Sequence, residues 1–159
     1  MKAQFGPTEQ YNELMNEPDN IYAHARNRIF AEQPERVSGG NTALALVIFS
    51  EQLSDAAKNA LEKSLAAIGY ESDERAYACV EGLSPEEAFD IVEGIDPLVL
   101  VAADETAATL YAQAVRQAFP MMRQVRVFGR EARAFPHLNA MVDEQADKQA
   151  VWHLLKTLA

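Results

Sequence analysis

The sequence predicts one α/β domain in three layers, a four-stranded parallel sheet with helices on both faces. Short, continuous apolar runs rich in β-branched and aromatic residues predict buried strands, because a strand of a parallel sheet is covered on both faces. Helical patterns follow these runs, and strands that alternate with helices favour parallel pairing through right-handed crossovers. The length of 159 residues suits a single domain.

The first forty residues predict an N-terminal extension that packs on a domain formed by residues 41–159. This segment is polar, and three prolines and the Gly39-Gly40 pair interrupt it. One helical stretch is expected at 20–32.

The first strand is predicted at 43–49, where the letters ALALVIF form an uninterrupted apolar run. Apolar residues at helical spacing predict a helix over 55–68. Gly69 supplies the left-handed residue that commonly ends a helix.

The letters AYACV predict a second strand at 76–80. The next helix begins at Ser84, which caps it, with Pro85 at its first position and Glu87 returning to the cap amide. We expect this helix to end at Gly94.

The third strand is predicted at 97–102, followed by a helix that Asp104 caps. The letters VRVF predict the fourth strand at 125–128, and an amphipathic helix from about 144 closes the chain.

Two residues beyond the carboxyl ends of the predicted strands are candidates for chemistry, because open parallel sheets bind ligands there. Glu51 can act as a general base on water, or it can be an exposed carboxylate stabilised by a helix dipole. His137 can stabilise an oxyanion or donate a proton, or it can simply cap the next helix. No glycine-rich loop follows a strand, which excludes dinucleotide and P-loop chemistry.

The net charge of −10 argues against general attraction to nucleic acid. A local exception is a run of five arginines with a single acid, namely Arg116, Arg123, Arg126, Arg130 and Arg133. We interpret it as a candidate nucleic-acid-binding segment that supports weak, salt-sensitive DNA binding. A solvated loop and edge strand are the alternative interpretation.

The sequence predicts no metal and no cofactor. Cys79 is the only cysteine, so a disulfide, a cysteine-held iron–sulfur cluster and a multi-cysteine zinc site are excluded. The three histidines lack metal-ligand spacing. No apolar run could span a membrane and the start does not look like a signal peptide, so we expect a cytoplasmic protein without a membrane partner.

Several segments, in the same order along the chain, resemble the uracil-DNA glycosylase superfamily. The most similar branch is the bacterial and archaeal family that carries an iron–sulfur cluster. The letters VIFSEQ at 47–52 lie where the family has a strand ending in Gly-Glu-Ala-Pro-Gly, which puts Glu51 on the acid of that motif. The helix at 61–70 and the segment 84–110 are also similar to the family.

The end of the chain adds to this resemblance. The family has a His-Pro-Ser turn before a last helix that carries a lysine and, four residues later, a tryptophan, and His137, Lys148 and Trp152 keep much of this register. The resemblance implies that Glu51 and His137 face one crevice, and that any activity is that of a DNA-glycosylase-type hydrolase.

The sequence departs from the family pattern in the segments that form the base-binding pocket of the family. Loop 50–54 has no glycine or proline, ACVEGL at 78–83 has no asparagine, and His-Pro-Ser has become His-Leu-Asn at 137–139. We therefore predict a divergent relative, with a nucleobase- or nucleic-acid-facing crevice and with catalysis left open. The alternative is a protein-interaction domain that kept the fold and lost the pocket.

Overall fold

A mixed six-stranded sheet forms the centre of the protein in the computed structural model, which describes residues 20–159. The strands lie in the order β1-β3-β2-β4-β6-β5. They are β1 (Val37–Gly39), β2 (Ala45–Phe49), β3 (Arg75–Cys79), β4 (Val99–Ala102), β5 (Val125–Val127) and β6 (Arg130–Ala134). The predicted α/β class is confirmed, and the sheet has six strands instead of the predicted four.

The four central strands β3, β2, β4 and β6 are parallel, and the two edge strands β1 and β5 are antiparallel to their neighbours. The prediction of a fourth parallel strand at 125–128 is therefore wrong in direction, because this segment forms β5, which is antiparallel to β6. Phe128 and Gly129 both have positive φ angles and reverse the chain between β5 and β6. The fourth parallel strand is β6, which lies in a region where the sequence predicted no strand.

Helices cover both faces of the sheet. The bounds are α1 (Asn20–Glu32), α2 (Asp55–Ala67), α3 (Pro85–Ile95), α4 (Glu105–Val115), α5 (Leu138–Met141) and α6 (Gln145–Lys156), with a 3₁₀ turn at Ser72–Glu74. Apolar residues of α1, α3 and α4 pack on one face, and those of α2, α5 and α6 on the other. Strand β2 is buried on both faces, which explains its continuous apolar run.

Polar caps determine where the helices after β2, β3 and β4 begin. The side chains of Ser54, Ser84 and Asp104 each accept a hydrogen bond from the first turn of α2, α3 and α4. Helix α3 passes the predicted stop at Gly94 and ends beside Asp96, which has a φ of 54°. Gly94 instead allows Ile29 of α1 to pack closely against α3, because a Cβ at position 94 would lie 2.6 Å from Cγ1 of Ile29.

The part of the N-terminal segment that the structure describes belongs to the fold. Arg26 of α1 donates a hydrogen bond from Nε to the carbonyl of Ile95 at 3.1 Å, and β1 extends the sheet beside β3. Gly40 lies so close to the 3₁₀ turn that a Cβ would come within 2.1 Å of the carbonyl oxygen of Asp73. Residues 1–19 of the predicted extension lie outside the described residues. Among the helices of 20–159, none has the length and apolar character needed to cross a membrane.

Candidate functional site

A cleft of about 530 Å³ lies at the carboxyl ends of β2 and β3. Residues 50–51 line it after β2, and residues 80–83 line it after β3. Thr106 and Leu110 contribute from α4, and His137 contributes from the turn before α5. The cleft therefore occupies the position at which open parallel sheets bind ligands.

The structure brings the two predicted site residues together in this cleft. His137 Nε2 lies 3.1 Å from Oε1 of Glu51, with the two side chains 53% and 57% exposed. The Nδ1 atom of His137 accepts a hydrogen bond from the amide of Ala140 at 3.2 Å, so Nε2 is the ring nitrogen that faces the cleft and Glu51. His137 thus caps α5, as its second interpretation predicted, and the same side chain lies beside the acid.

Asp104 lies beneath the pair and holds the loop after β2 in place. Its Oδ2 atom accepts hydrogen bonds from the amides of Ser50 at 2.9 Å and Glu51 at 3.0 Å. Its Oδ1 atom accepts from Oγ of Ser50 at 2.9 Å and from the amide of Ala107 at 2.8 Å. With 7% of its surface exposed, this buried carboxylate is satisfied by four donors and orients the backbone that carries Glu51.

Asn139 fixes the other end of the same loop. Its Oδ1 atom accepts from the amide of Ser54 at 2.9 Å, and its Nδ2 atom donates to the carbonyl of Gln52 at 2.9 Å. Two side chains from distant parts of the chain therefore hold residues 50–54, which gives Glu51 a defined position before any ligand arrives. The sequence had predicted Asp104 as a helix cap beyond the third strand and had assigned no role to Asn139.

The structure does not present the five predicted arginines as one surface. Arg130 and Arg133 are only 8% and 1% exposed. Their side chains extend toward opposite faces of the sheet, since Arg130 bonds Glu93 on α3 and Arg133 bonds Thr157 after α6. The remaining three, Arg116, Arg123 and Arg126, are exposed.

Arg130 is saturated by its own protein partners. It makes two hydrogen bonds to Glu93, one to Asp96, one to the hydroxyl of Tyr111 and one to the carbonyl of Pro97, at distances of 2.6–3.2 Å. Burial acts to lower the pKa of Arg130. The hydrogen bond to Glu93 and the nearby charges act in the opposite direction and are stronger, so the pKa of Arg130 is raised above its ordinary value. Burial, followed by the hydrogen bond to Glu93, raises the pKa of Tyr111. No donor of Arg130 is left for a phosphate.

Arg133 is also committed within the protein. It donates to Oγ1 of Thr157 at 2.8 Å and to Oε1 of Glu131 at 3.0 Å, and Glu131 also pairs with Arg126 at 3.1 Å. The hydrogen bond from Arg133 holds the pKa of the Glu131 carboxyl below its ordinary value, with a smaller contribution from Arg126. Any binding of DNA by this segment therefore has to come from the exposed Arg116, Arg123 and Arg126.

The described residues do not bring together three or more histidine, cysteine or acidic side chains in a way that could hold a metal ion. Cys79, at the end of β3, is partly exposed and is a free thiol. Comparison with known protein families and with curated proteins finds no match to this chain. The resemblance to uracil-DNA glycosylases stays a prediction.

Proposed function

We propose that this chain is a divergent relative of the uracil-DNA glycosylases whose crevice binds a nucleobase and does not excise it. The observation that carries the proposal is the Glu51–His137 pair, 3.1 Å apart on the wall of an open cleft of about 530 Å³. This volume falls in the range of roughly 300–1,000 Å³ that is common for small-molecule sites.

The lining suits a flat ring with a polar edge. Val80, Leu83 and Leu110 supply apolar surface, and the Glu51–His137 pair supplies hydrogen-bonding atoms. A nucleobase combines apolar faces with donors and acceptors along its rim. Because Asp104 and Asn139 hold the loop in advance, binding costs little ordering of the protein.

The same lining argues against excision. A glycosylase must unstack its target base at a cost of several kcal/mol, and it recovers that cost by stacking and by hydrogen bonds to the base edge. Among the described residues that line the cleft there is no Phe, Tyr or Trp to stack on a base. Loop 50–54 also has no glycine, so backbone cannot approach a flipped nucleotide as closely as in the family motif.

A uracil-release assay on single- and double-stranded DNA tests the absence of excision. We expect no release of uracil above the no-enzyme background. Release that is abolished in Glu51→Ala and retained in a variant of a distant acid, Glu144→Gln, would show that the chain is an active glycosylase and would overturn this part of the proposal.

Weak DNA binding is a separate part of the proposal and rests on the three exposed arginines. We expect a low-affinity shift at low ionic strength that disappears when Arg116, Arg123 and Arg126 are replaced by alanine together. The salt dependence should be shallow, because each neutralised phosphate contributes a slope of only about −0.9 in log affinity against log salt. No shift of wild-type protein on either form of DNA at low salt would remove DNA from the proposal.

A protein-interaction role is the second candidate, and one observation favours it. Leu98 and Phe128 are 60% and 49% exposed and line a groove at the other end of the sheet. Phe128 has a φ of 49°, a costly conformation for a bulky residue, and its ring packs edge-on against Phe89. A pull-down in which a protein partner is lost with Phe128→Ser and kept with Glu51→Gln would support this role. Recovery of nucleic acid alone would count against it.

A further inference from the structure

The charged side chains around the crevice are acidic. Glu51 and Glu81 line it, and Glu105 lines an adjoining groove that shares Thr106 and Leu110 with it. No lysine or arginine appears among the described lining residues. Arg36 approaches from behind the rim, but its Nη1 atom donates to the carbonyls of Cys79 and Glu81.

The backbone amides that could bind an anion beside β2 are already occupied. Phosphate groups bind in proteins at clusters of free backbone N–H groups and at helix N-termini. Here the amides of Ser50 and Glu51 and the first-turn amide of Ala107 all donate to the carboxylate of Asp104. A buried negative charge therefore fills the place at the end of β2 where a phosphate would otherwise be held.

Amides at the start of α3, the helix that follows the loop after β3, are also occupied. Ser84 caps α3 through the amide of Glu87 at 3.1 Å, and the Glu87 carboxylate accepts from the amide of Ser84 at 2.9 Å. The first-turn amides of Ala107 in α4 and Glu87 in α3 are thus both matched, by a carboxylate oxygen and by a hydroxyl oxygen. An anionic ligand would meet repulsion from Glu51 and Glu81, and no lysine or arginine among the described lining residues would compensate it.

The acidic side chains of the lining, Glu51 and Glu81, are hydrogen-bond acceptors. His137 Nε2 lies 3.1 Å from Oε1 of Glu51, but neither oxygen of the Glu51 carboxylate accepts a hydrogen bond from the described residues, so both can accept from a ligand. A carboxylate pairs best with two adjacent donors, as on the guanine edge that carries a ring N–H and an exocyclic amino group. Uracil presents one N–H between two carbonyls, and those carbonyls would face acidic side chains.

The geometry points to a crevice that selects an uncharged nucleobase or nucleoside with adjacent N–H donors, guanine best, and that rejects phosphorylated forms and uracil. This inference rests on the proposed function, since it specifies the ligand of the same cleft. It separates the site from a nucleic-acid-binding groove, because phosphate is what the acidic lining and Asp104 exclude.

Binding of three probes to the full chain tests the inference, with amide chemical shifts as the measurement. The probes are guanosine, guanosine 5′-monophosphate and uridine. We expect guanosine to bind at least about tenfold more tightly than uridine, the discrimination that a bidentate pair supplies. We expect the monophosphate to bind about tenfold more weakly than guanosine at low salt, and this gap should narrow as added salt screens the repulsion.

A variant and a matched control complete the experiment. Glu51→Gln should weaken guanosine binding about tenfold. Glu144→Gln, which changes an exposed acid at the start of α6 that makes no cap hydrogen bond, should leave guanosine binding unchanged. The circular dichroism spectra of both variants should match wild type.

The outcomes separate this inference from the proposed function. Binding of the monophosphate or of uridine as tightly as guanosine overturns the inferred selectivity and leaves a nucleobase site in place. Binding of none of the three probes overturns both.

Discussion

The two ends of the sheet use ionisable groups in opposite ways. At the amino end, Arg130 is buried, and each of its guanidinium nitrogens donates to a partner on α3, on α4 or in the connection before β4. At the carboxyl end, Glu51 and His137 form a pair that is more than half exposed in a cleft. Beneath this pair, Asp104 is buried and fully bonded, like Arg130.

This difference distinguishes ionisable groups that stabilise the fold from those that are accessible to a ligand. Removing one partner of a buried charge pair leaves the other charge uncompensated in a poorly solvated place, which is strongly destabilising. An exposed pair contributes little to stability, because water solvates each charge about as well as its partner does. Substitutions at the amino end should therefore change stability, and substitutions of the exposed pair should change binding.

The largest effect is expected for Arg130→Met, which removes the charge but keeps much of the side-chain volume. Glu93 and Asp96 would then lose their shared partner, at a cost of about 3 kcal/mol in the free energy of unfolding. Chemical denaturation measures this loss. Arg126→Met is the matched control, because its side chain is 64% exposed and the expected loss is below about 0.5 kcal/mol. Equal losses of unfolding free energy for the two variants would contradict the proposed difference between buried and exposed charges.

An intermediate effect is expected for Asp104→Ala. The change removes the cap of α4 and the acceptor for the amides of Ser50 and Glu51, which should cost about 2 kcal/mol. Thermal or chemical unfolding measures the loss. Ser84→Ala, which removes only the cap of α3, should cost about 1 kcal/mol. A loss for Asp104→Ala no greater than for Ser84→Ala would mean that Asp104 does not hold the loop.

The smallest effect is expected for Glu131→Gln and depends on pH. Arg133 lowers the pKa of Glu131 in the folded protein, so this carboxyl stabilises the fold above its unfolded pKa of about 4.3. That contribution is lost as the pH falls through the lower folded pKa. Because the side chain is 38% exposed, the variant should lose less than about 1 kcal/mol at pH 7. Unfolding curves of variant and wild type should converge in acid, and a difference that grows toward low pH would contradict this account.

The same contrast explains which elements could be predicted from the sequence. Strands β2, β3 and β4 lie within two residues of their predicted positions, because both of their faces are buried in apolar contacts. Strand β6 was missed because its letters REARA look polar. Its two arginines are buried through partners that are distant in the sequence, such as Glu93 and Thr157, and no local pattern reveals such pairing.

The candidate site was partly predictable for the same reason. Glu51 and His137 were both candidates because they follow predicted strands, and the resemblance implied that they face one crevice. The groups that hold them were not predictable, since Asp104 is 53 residues from Glu51 and Asn139 is 87 residues from Gln52. Local signals identified Asp104 as a cap, but its contacts with the loop depend on the pairing of β2 with β4.

The most direct test of the central claim is the location of guanosine binding on the protein, mapped by amide chemical shifts during a titration. The account predicts that the shifts concentrate on residues 50–51, 80–83 and Thr106, around the Glu51–His137 pair, and are lost in Glu51→Gln. The amides of Leu98 and Phe128, at the other end of the sheet, should not move. Shifts centred on Leu98 and Phe128, or no shifts at all, would contradict it.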